Sequence, residues 1–260
     1  MNYKEYGKQN SHVMILLHGG GLSWWNYEEV AEILHQKFRI ILPILDGHAG
    51  SDSEFTSIEE NASRMIEYID QEHSGKVFLI GGLSLGGQIA TEILAQRQDI
   101  CNYAVIESAL VFPMQFTYYM IKPAFTMSFG LIKKKWFSKL QFKSLRIKPS
   151  LFDRYYEDTC KIQKSDMISF LKANAGYVVK PEIENTEVKV KILVGSKEAA
   201  KMKKSAKQLH RVIPGSSLEV LEGLYHGELS IKYGYRYVSM ICQLIKEDED
   251  IEGDEVIWKK

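Results

Sequence analysis

Val77-Phe78-Leu79-Ile80-Gly81-Gly82-Leu83-Ser84-Leu85-Gly86-Gly87 decides how this chain is read. Val77 to Ile80 is a short run, apolar on both faces and closed by glycine, which suits a strand buried in a parallel sheet. Leu85 to Arg97 then carries a helical pattern. Between them, Gly82-Leu83-Ser84-Leu85-Gly86 matches G-x-S-x-G. Glycine and serine are common, so the pattern alone says little. A strand before it and a helix after it form the setting in which such a serine is lifted as a nucleophile. The reason is steric: the turn must be tight enough to present the Ser84 hydroxyl, and the neighbouring backbone passes too close for side chains. The following helix points its positive end at developing negative charge. The competing reading is a glycine-rich phosphate-binding turn, but the lysine and spacing of a Walker motif are missing.

Outward from this turn, strands and helices alternate. Val13 to Leu17, Phe38 to Leu45, Tyr103 to Ile106 and Val188 to Val194 are further apolar runs, and Leu218 to Leu221 partly alternates like an edge strand. Helical stripes lie at Glu28 to His35 (Val30, Ile33 and Leu34 inward), at Ile58 to Ile69, and from about Ile231 to Lys246 (Tyr235, Val238, Ile241, Leu244 and Ile245 inward). This order predicts an α/β fold with a mostly parallel, doubly wound sheet. Residues 110–187 break the rhythm: they are rich in aromatics and show no clear strand, so they read as an inserted set of helices. The core then comprises 1–109 and 188–260.

A serine hydroxyl needs a base. His226, in Gly223-Leu224-Tyr225-His226-Gly227, follows the last strand and fits the chain order serine, acid, histidine. His12, His35, His73 and His210 read as surface residues, and His18 and His48 belong to other motifs. The acid that orients the imidazole is expected just after Val188 to Val194, where Glu198 is the first carboxylate. Glu107, ending the Tyr103 strand, is its rival. An oxyanion needs donors already in place. The N–H of Leu85 is one, and His18-Gly19-Gly20-Gly21 supplies the second through Gly20.

Composition excludes several classes. The chain has 260 residues, is 45% hydrophobic and carries zero formal net charge, so nothing global points to nucleic acid. Its three cysteines form no metal-type or disulfide-type spacing. The polar opening MNYKEYGKQN is not a signal peptide, and no apolar stretch reaches the roughly 18 residues of a spanning helix. A reducing cytoplasm is the expected location. Charge is uneven, however. Leu110 to Phe152 contains no Asp or Glu, while Glu247 to Glu255 is crowded with acids and reads as a solvated end.

These segments together resemble the α/β-hydrolase superfamily, in its bacterial carboxylesterase and lipase-like branch. The resemblance rests on His18-Gly19-Gly20-Gly21, Asp46-Gly47-His48-Ala49-Gly50-Ser51, Gly82-Leu83-Ser84-Leu85-Gly86, Gly195-Ser196-Lys197-Glu198 and Tyr225-His226-Gly227, spread over nearly the whole core. It implies a mostly parallel eight-stranded sheet, shortened by one strand if the brief N-terminus lacks it. It also implies a helical cap over the site at residues 110–187. Two positions depart from the family pattern: Ala49 stands where glycine is frequent, and Glu198 where aspartate is usual. A serine nucleophile separates the chain from the haloalkane dehalogenase and epoxide hydrolase branches, which use aspartate.

The expected activity is cleavage of a small or hydrophobic carboxylic ester through an acyl-enzyme, with Ser84, Glu198 and His226 as triad and no cofactor or metal. Met114, Met120 and Met127 among the aromatics of 110–187 suggest an adaptable apolar wall for an acyl group. The expected partner is a small-molecule ester or acyl substrate. Thioester hydrolysis, acyl transfer, C–C hydrolysis or ligand sensing on the same fold are the alternatives, because a fold does not set the reaction. Lys133-Lys134-Lys135-Trp136-Phe137 could touch an anionic lipid surface, but a solvated basic turn outweighs membrane contact on sequence alone.

Overall fold

A computed structural model describes residues 1–246; the acidic run Glu247 to Glu255 lies outside them. The chain runs β1 (Tyr3–Tyr6), β2 (Val13–Leu17), a 3-10 turn (Trp24–Tyr27), α1 (Glu28–Leu34), β3 (Arg39–Pro43), α2 (Ile58–His73), β4 (Val77–Leu83), α3 (Leu85–Gln96) and β5 (Cys101–Glu107). Then come α4 (Gln115–Ile132), α5 (Lys135–Ser144), α6 (Phe152–Lys161) and α7 (Lys164–Gly176), followed by β6 (Lys189–Gly195), α8 (Ala200–Val212), β7 (Ser217–Leu221), α9 (Glu228–Lys232) and α10 (Gly234–Lys246).

The strands form one sheet in the order β1-β3-β2-β4-β5-β6-β7, all parallel except β1. Its central strands are apolar on both faces because both are covered. Ile15 and Leu17 pack with α2 and α3 residues such as Met65 and Ile89. Met14 and Leu16 pack on the other side with Val30, Tyr237 and Ile241. The chain leaves β2 toward β3 and returns across it to β4, so the winding reverses between β2 and β4. In an open parallel sheet, the crevice at the carboxyl ends of such strands is where ligands sit.

This is the α/β-hydrolase fold, with seven strands among the described residues where the family pattern implies eight. Sequence reading missed β1, which is short, half exposed and polar in pattern; its backbone pairs Tyr3 with Pro43 and Tyr6 with Ile40 at the sheet edge. The expected last helix is broken at Tyr233 into α9 and α10. The break turns Tyr235 outward and brings Tyr237 and Met240 in with Val238, Ile241 and Leu244. In α1, Ala31 rather than Ile33 completes the buried face.

No strand interrupts residues 110–187. Their helices rest on the loops at the carboxyl ends of the strands. Trp25 Nε1 donates to Asp158 of α6 at 2.8 Å. The Phe55 N–H donates to Asp166 of α7 at 2.9 Å. Lys148 pairs with Glu29 and Arg154 with Glu28.

Candidate functional site

The β4–α3 turn is as cramped as its glycines predict. Ser84 has φ 53° and ψ −110°, a region costly for any side-chain-bearing residue and held here by its surroundings. Its N–H donates to the carbonyl of Glu107 on the neighbouring strand at 2.9 Å. A Cβ on Gly82 would lie 2.2 Å from the Gly86 carbonyl oxygen, and one on Gly86 would lie 2.1 Å from that of Leu17. No side chain fits at either position. Ser84 is half-buried between the buried residues Leu79 to Leu83 of β4 and Leu85 to Ala95 of α3.

His226 follows β7. Its Nδ1 lies 2.8 Å from Glu198 Oε2, which leaves Nε2 as the nitrogen available to a reacting group. Gly227 brings this loop against the turn: a Cβ there would lie 3.0 Å from the Leu83 side chain, so the neighbours of His226 and Ser84 are in contact. The Glu198 side chain is fully buried, and that of His226 is 44% exposed. Glu198 Oε1 accepts from the Gly195 N–H at 2.7 Å and from the Ser108 hydroxyl at 2.8 Å. Burial pushes the Glu198 carboxyl up. The bond and charge of His226, the Gly195 N–H and the Ser108 hydroxyl outweigh that and hold it below the usual range. Glu198 is therefore a buried, ionised group with each oxygen engaged.

Glu107 takes a different place. Its Oε1 faces the Ser230 N–H at 3.4 Å. Its Oε2 is buried without a hydrogen-bond partner, as are the hydroxyls of Ser230, Tyr27 and Tyr237. Burial is the main force on this carboxyl and raises its pKa to about 7. The structure thus brings Glu198, not Glu107, onto the imidazole of His226.

The β2 loop lies beside the turn. A Cβ on Gly20 would sit 3.6 Å from Leu85 and from Phe170 of α7. The loop is bolted on either side of Gly20: the Gly19 N–H donates to Asn26 at 3.3 Å and the Gly21 N–H to His48 Nε2 at 3.0 Å. Among the described residues the Gly20 N–H has no partner. Leu85 opens α3, where a helix leaves its N–H groups unsatisfied. Two unspent donors therefore flank Ser84.

Three supporting residues escaped sequence reading. His18 is fully buried, with Nδ1 on the Gly19 carbonyl at 2.9 Å and Nε2 accepting from the Leu45 N–H at 3.1 Å. Burial, then the nearby His48, lowers its pKa well below the ordinary histidine value. His48 stacks on Phe170 with ring centroids 4.5 Å apart, and burial lowers its pKa to about 4. Both imidazoles are neutral struts for the glycine loop. The third is Ser108, at φ 54° just past β5. His18 and His48 lie in glycine-rich loops after strands, where a histidine beside glycines is a usable signal. Nothing local marks Ser108. Among the described residues no cluster of His, Cys, Asp and Glu is arranged to hold a metal ion.

A sheet with this winding and a serine at its switch point define an α/β hydrolase. Residues 12–212 match the family model for the alpha/beta hydrolase fold, and the chain belongs to that family. Solved structures of similar course include a thermophilic esterase from Thermogutta terrifontis (16% identical, TM-score 0.77, 95% of this chain and 93% of that one). MenH from S. aureus is 17% identical, with TM-score 0.76 over 95% of this chain and 98% of its own. An enol-lactonase from Burkholderia xenovorans LB400 is 14% identical, with TM-score 0.77 over 94% and 96%. At such identities the likeness is one of fold. Comparison with curated proteins found no match.

Proposed function

We propose that this α/β hydrolase cleaves a carboxylic ester through an acyl-enzyme on Ser84. The observation that carries the reading is the strained Ser84, set between two unspent N–H donors and against the loop of an imidazole held by a buried carboxylate. In the proposed reaction, Ser84 Oγ attacks the ester carbonyl while His226 Nε2 takes its proton. The tetrahedral oxyanion is met by the N–H groups of Gly20 and Leu85, with the α3 dipole behind them. His226 then gives its proton to the departing alkoxide, and the alcohol leaves. Water, deprotonated by the same nitrogen, attacks the acyl carbonyl and restores Ser84. Glu198 is a positioning residue: it fixes the tautomer of His226 and balances the imidazolium.

Residues 110–187 serve as a cap in this reading. Phe170 reaches Gly20 and His48, so the acyl group meets an apolar wall supplied by the insertion. A hydrophobic acyl chain suits that wall. The test is labelling with a fluorophosphonate, followed by turnover of p-nitrophenyl acetate and butyrate. The label should map to Ser84. Ser84→Ala and His226→Ala should each lower kcat on the order of ten-thousand-fold or more, and Glu198→Ala somewhat less. Full turnover in Ser84→Ala would end the proposal.

A further inference from the structure

Two-faced helices are uncommon on protein surfaces, and α4 is one. Ile121 and Ile132 are buried, and Phe125 and Phe129 are partly buried against the core cluster that includes Ile132. Nearly opposite, Phe116, Tyr119, Met120, Met127 and Leu131 recur at helical spacing and are all exposed, Phe116 by 79% and Met127 by 89%. They form a strip about 22 Å long at the rise of an α-helix. On the next helix, α5, Trp136 and Leu140 are likewise exposed, by 64% and 62%. A continuous exposed apolar strip of this kind marks an interaction site.

Charge says with what. Lys122, Lys139 and Lys143 are exposed on the same two helices, Lys133 and Lys134 are exposed on the turn between them, and no acidic residue occurs between Leu110 and Phe152. The nearest, Asp153, pairs with Lys135 at 3.6 Å. The surface is thus apolar along its crest and cationic at its margins. A second copy meeting it face to face would set lysine against lysine. Among the described residues no helix is long and apolar enough to cross a membrane. An apolar crest with basic flanks lies on an anionic bilayer instead.

We propose that α4 and α5 dock this hydrolase on anionic phospholipid membranes. The lysine run alone reads as solvated; the exposed crest, hidden in a sequence whose helix is apolar on both faces, changes that balance. The docked hairpin is tied to the candidate site. Arg146, just past α5, stacks on Tyr225 with 3.6 Å from its guanidinium carbon to the ring centre, and Tyr225 adjoins His226. Docking goes beyond the esterase reading and does not rest on it.

The test is flotation of the full chain with vesicles of phosphatidylcholine alone or with one third phosphatidylglycerol. Binding should favour the anionic vesicles and fall with added salt. Met127→Asp, and separately Lys133→Glu with Lys134→Glu and Lys139→Glu, should each weaken it roughly tenfold or more while thermal unfolding stays cooperative. Brominated lipid should quench tryptophan fluorescence in the wild type, and Trp136→Phe should remove most of that quenching. Three results would each overturn the proposal: no binding to anionic vesicles at low salt; binding that neither variant weakens; or a dimer, abolished by Met127→Asp, that assigns this face to a second copy.

Discussion

Gly86, in the first turn of α3, and Gly130, in the last turn of α4, sit in opposite surroundings. A methyl on Gly86 would run into the backbone of β2, whereas one on Gly130 would meet nothing within 4 Å. Their helices differ in the same way. Every residue of α3 from Leu85 to Ala95 is buried, whereas α4, half again as long, fully buries only Ile121 and Ile132. The sheet and its turns are over-determined, so a strained Ser84 can persist there; strain survives only where surrounding packing outweighs it. The helices of 110–187 are held by one apolar face and a few polar ties. The proposed chemistry, which needs fixed atoms, falls in the first region, and the proposed membrane-docking surface in the second.

The sharpest way to break that contrast is Gly86→Ala. The new Cβ would stand 2.1 Å from the Leu17 carbonyl oxygen, which is backbone and cannot swing aside. Either β2 or the Ser84 turn must shift. We expect a stability loss of about 4 kcal/mol or more, with the proposed ester turnover lost alongside it, measured by urea unfolding and the p-nitrophenyl assay. A variant as stable as wild type would show that the turn is not over-determined.

Next in size is the pH response of Glu107. Burial raises its pKa from an ordinary 4.5 to about 7, among Tyr27, Tyr237, Ser230 and the more distant Glu198 and His226. A carboxyl whose pKa is higher in the folded chain contributes stability that is full below 4.5 and is lost as pH climbs through about 7. Glu107→Gln keeps the neutral form at every pH. The stability of the variant relative to wild type should therefore rise between pH 4.5 and 7, by on the order of 3 kcal/mol, and level off above. A difference that is flat across this window would mean that Glu107 is ionised throughout.

At the seam between the two regions, Asp166 of α7 accepts the buried Phe55 N–H. Asp166→Ala leaves that donor unsatisfied and should cost about 1–3 kcal/mol. Hydrogen exchange would locate the loss. Faster exchange confined to α4–α7 and residues 44–57 supports a separable insertion, and uniform acceleration through the sheet refutes one.

What the sequence made legible follows the same division. That Ser84 lies in a tight turn, Gly20 in the loop after β2 and Leu85 at a helix start was legible because turns and helix starts are local features with local residue requirements. Glu198 and His226 could be paired because each follows a strand, one an apolar run and one partly alternating, and parallel strands end on the same side of a sheet. Ser108 could not be found: a serine at positive φ that donates to a carboxylate 90 positions away leaves no local trace. β1 was hidden because an edge strand of four residues, half exposed, has no buried face to print a pattern. A single helix from Ile231 would turn Tyr235 inward, but the break at Tyr233 shifts the phase and leaves it exposed. For α4, apolar residues on both faces erase the very periodicity from which facing is read.

The smallest expected effect has the opposite sign. Gly130 lies inside the helical span of α4, away from positive φ, with open space where a Cβ would be. Glycine there costs helix stability because the unfolded chain has more freedom to lose, and because an uncovered backbone is well solvated when unfolded. Gly130→Ala removes that cost without adding a contact, so it should stabilise the fold by about 0.5–1 kcal/mol. If 110–187 opens independently of the sheet, the gain will appear as slower hydrogen exchange in α4 with little change in global Tm. If the whole chain unfolds as one unit, Tm itself will rise by about 1–3 °C. The same methyl that cannot be tolerated at Gly86 thus becomes a probe of whether the two regions share one cooperative transition.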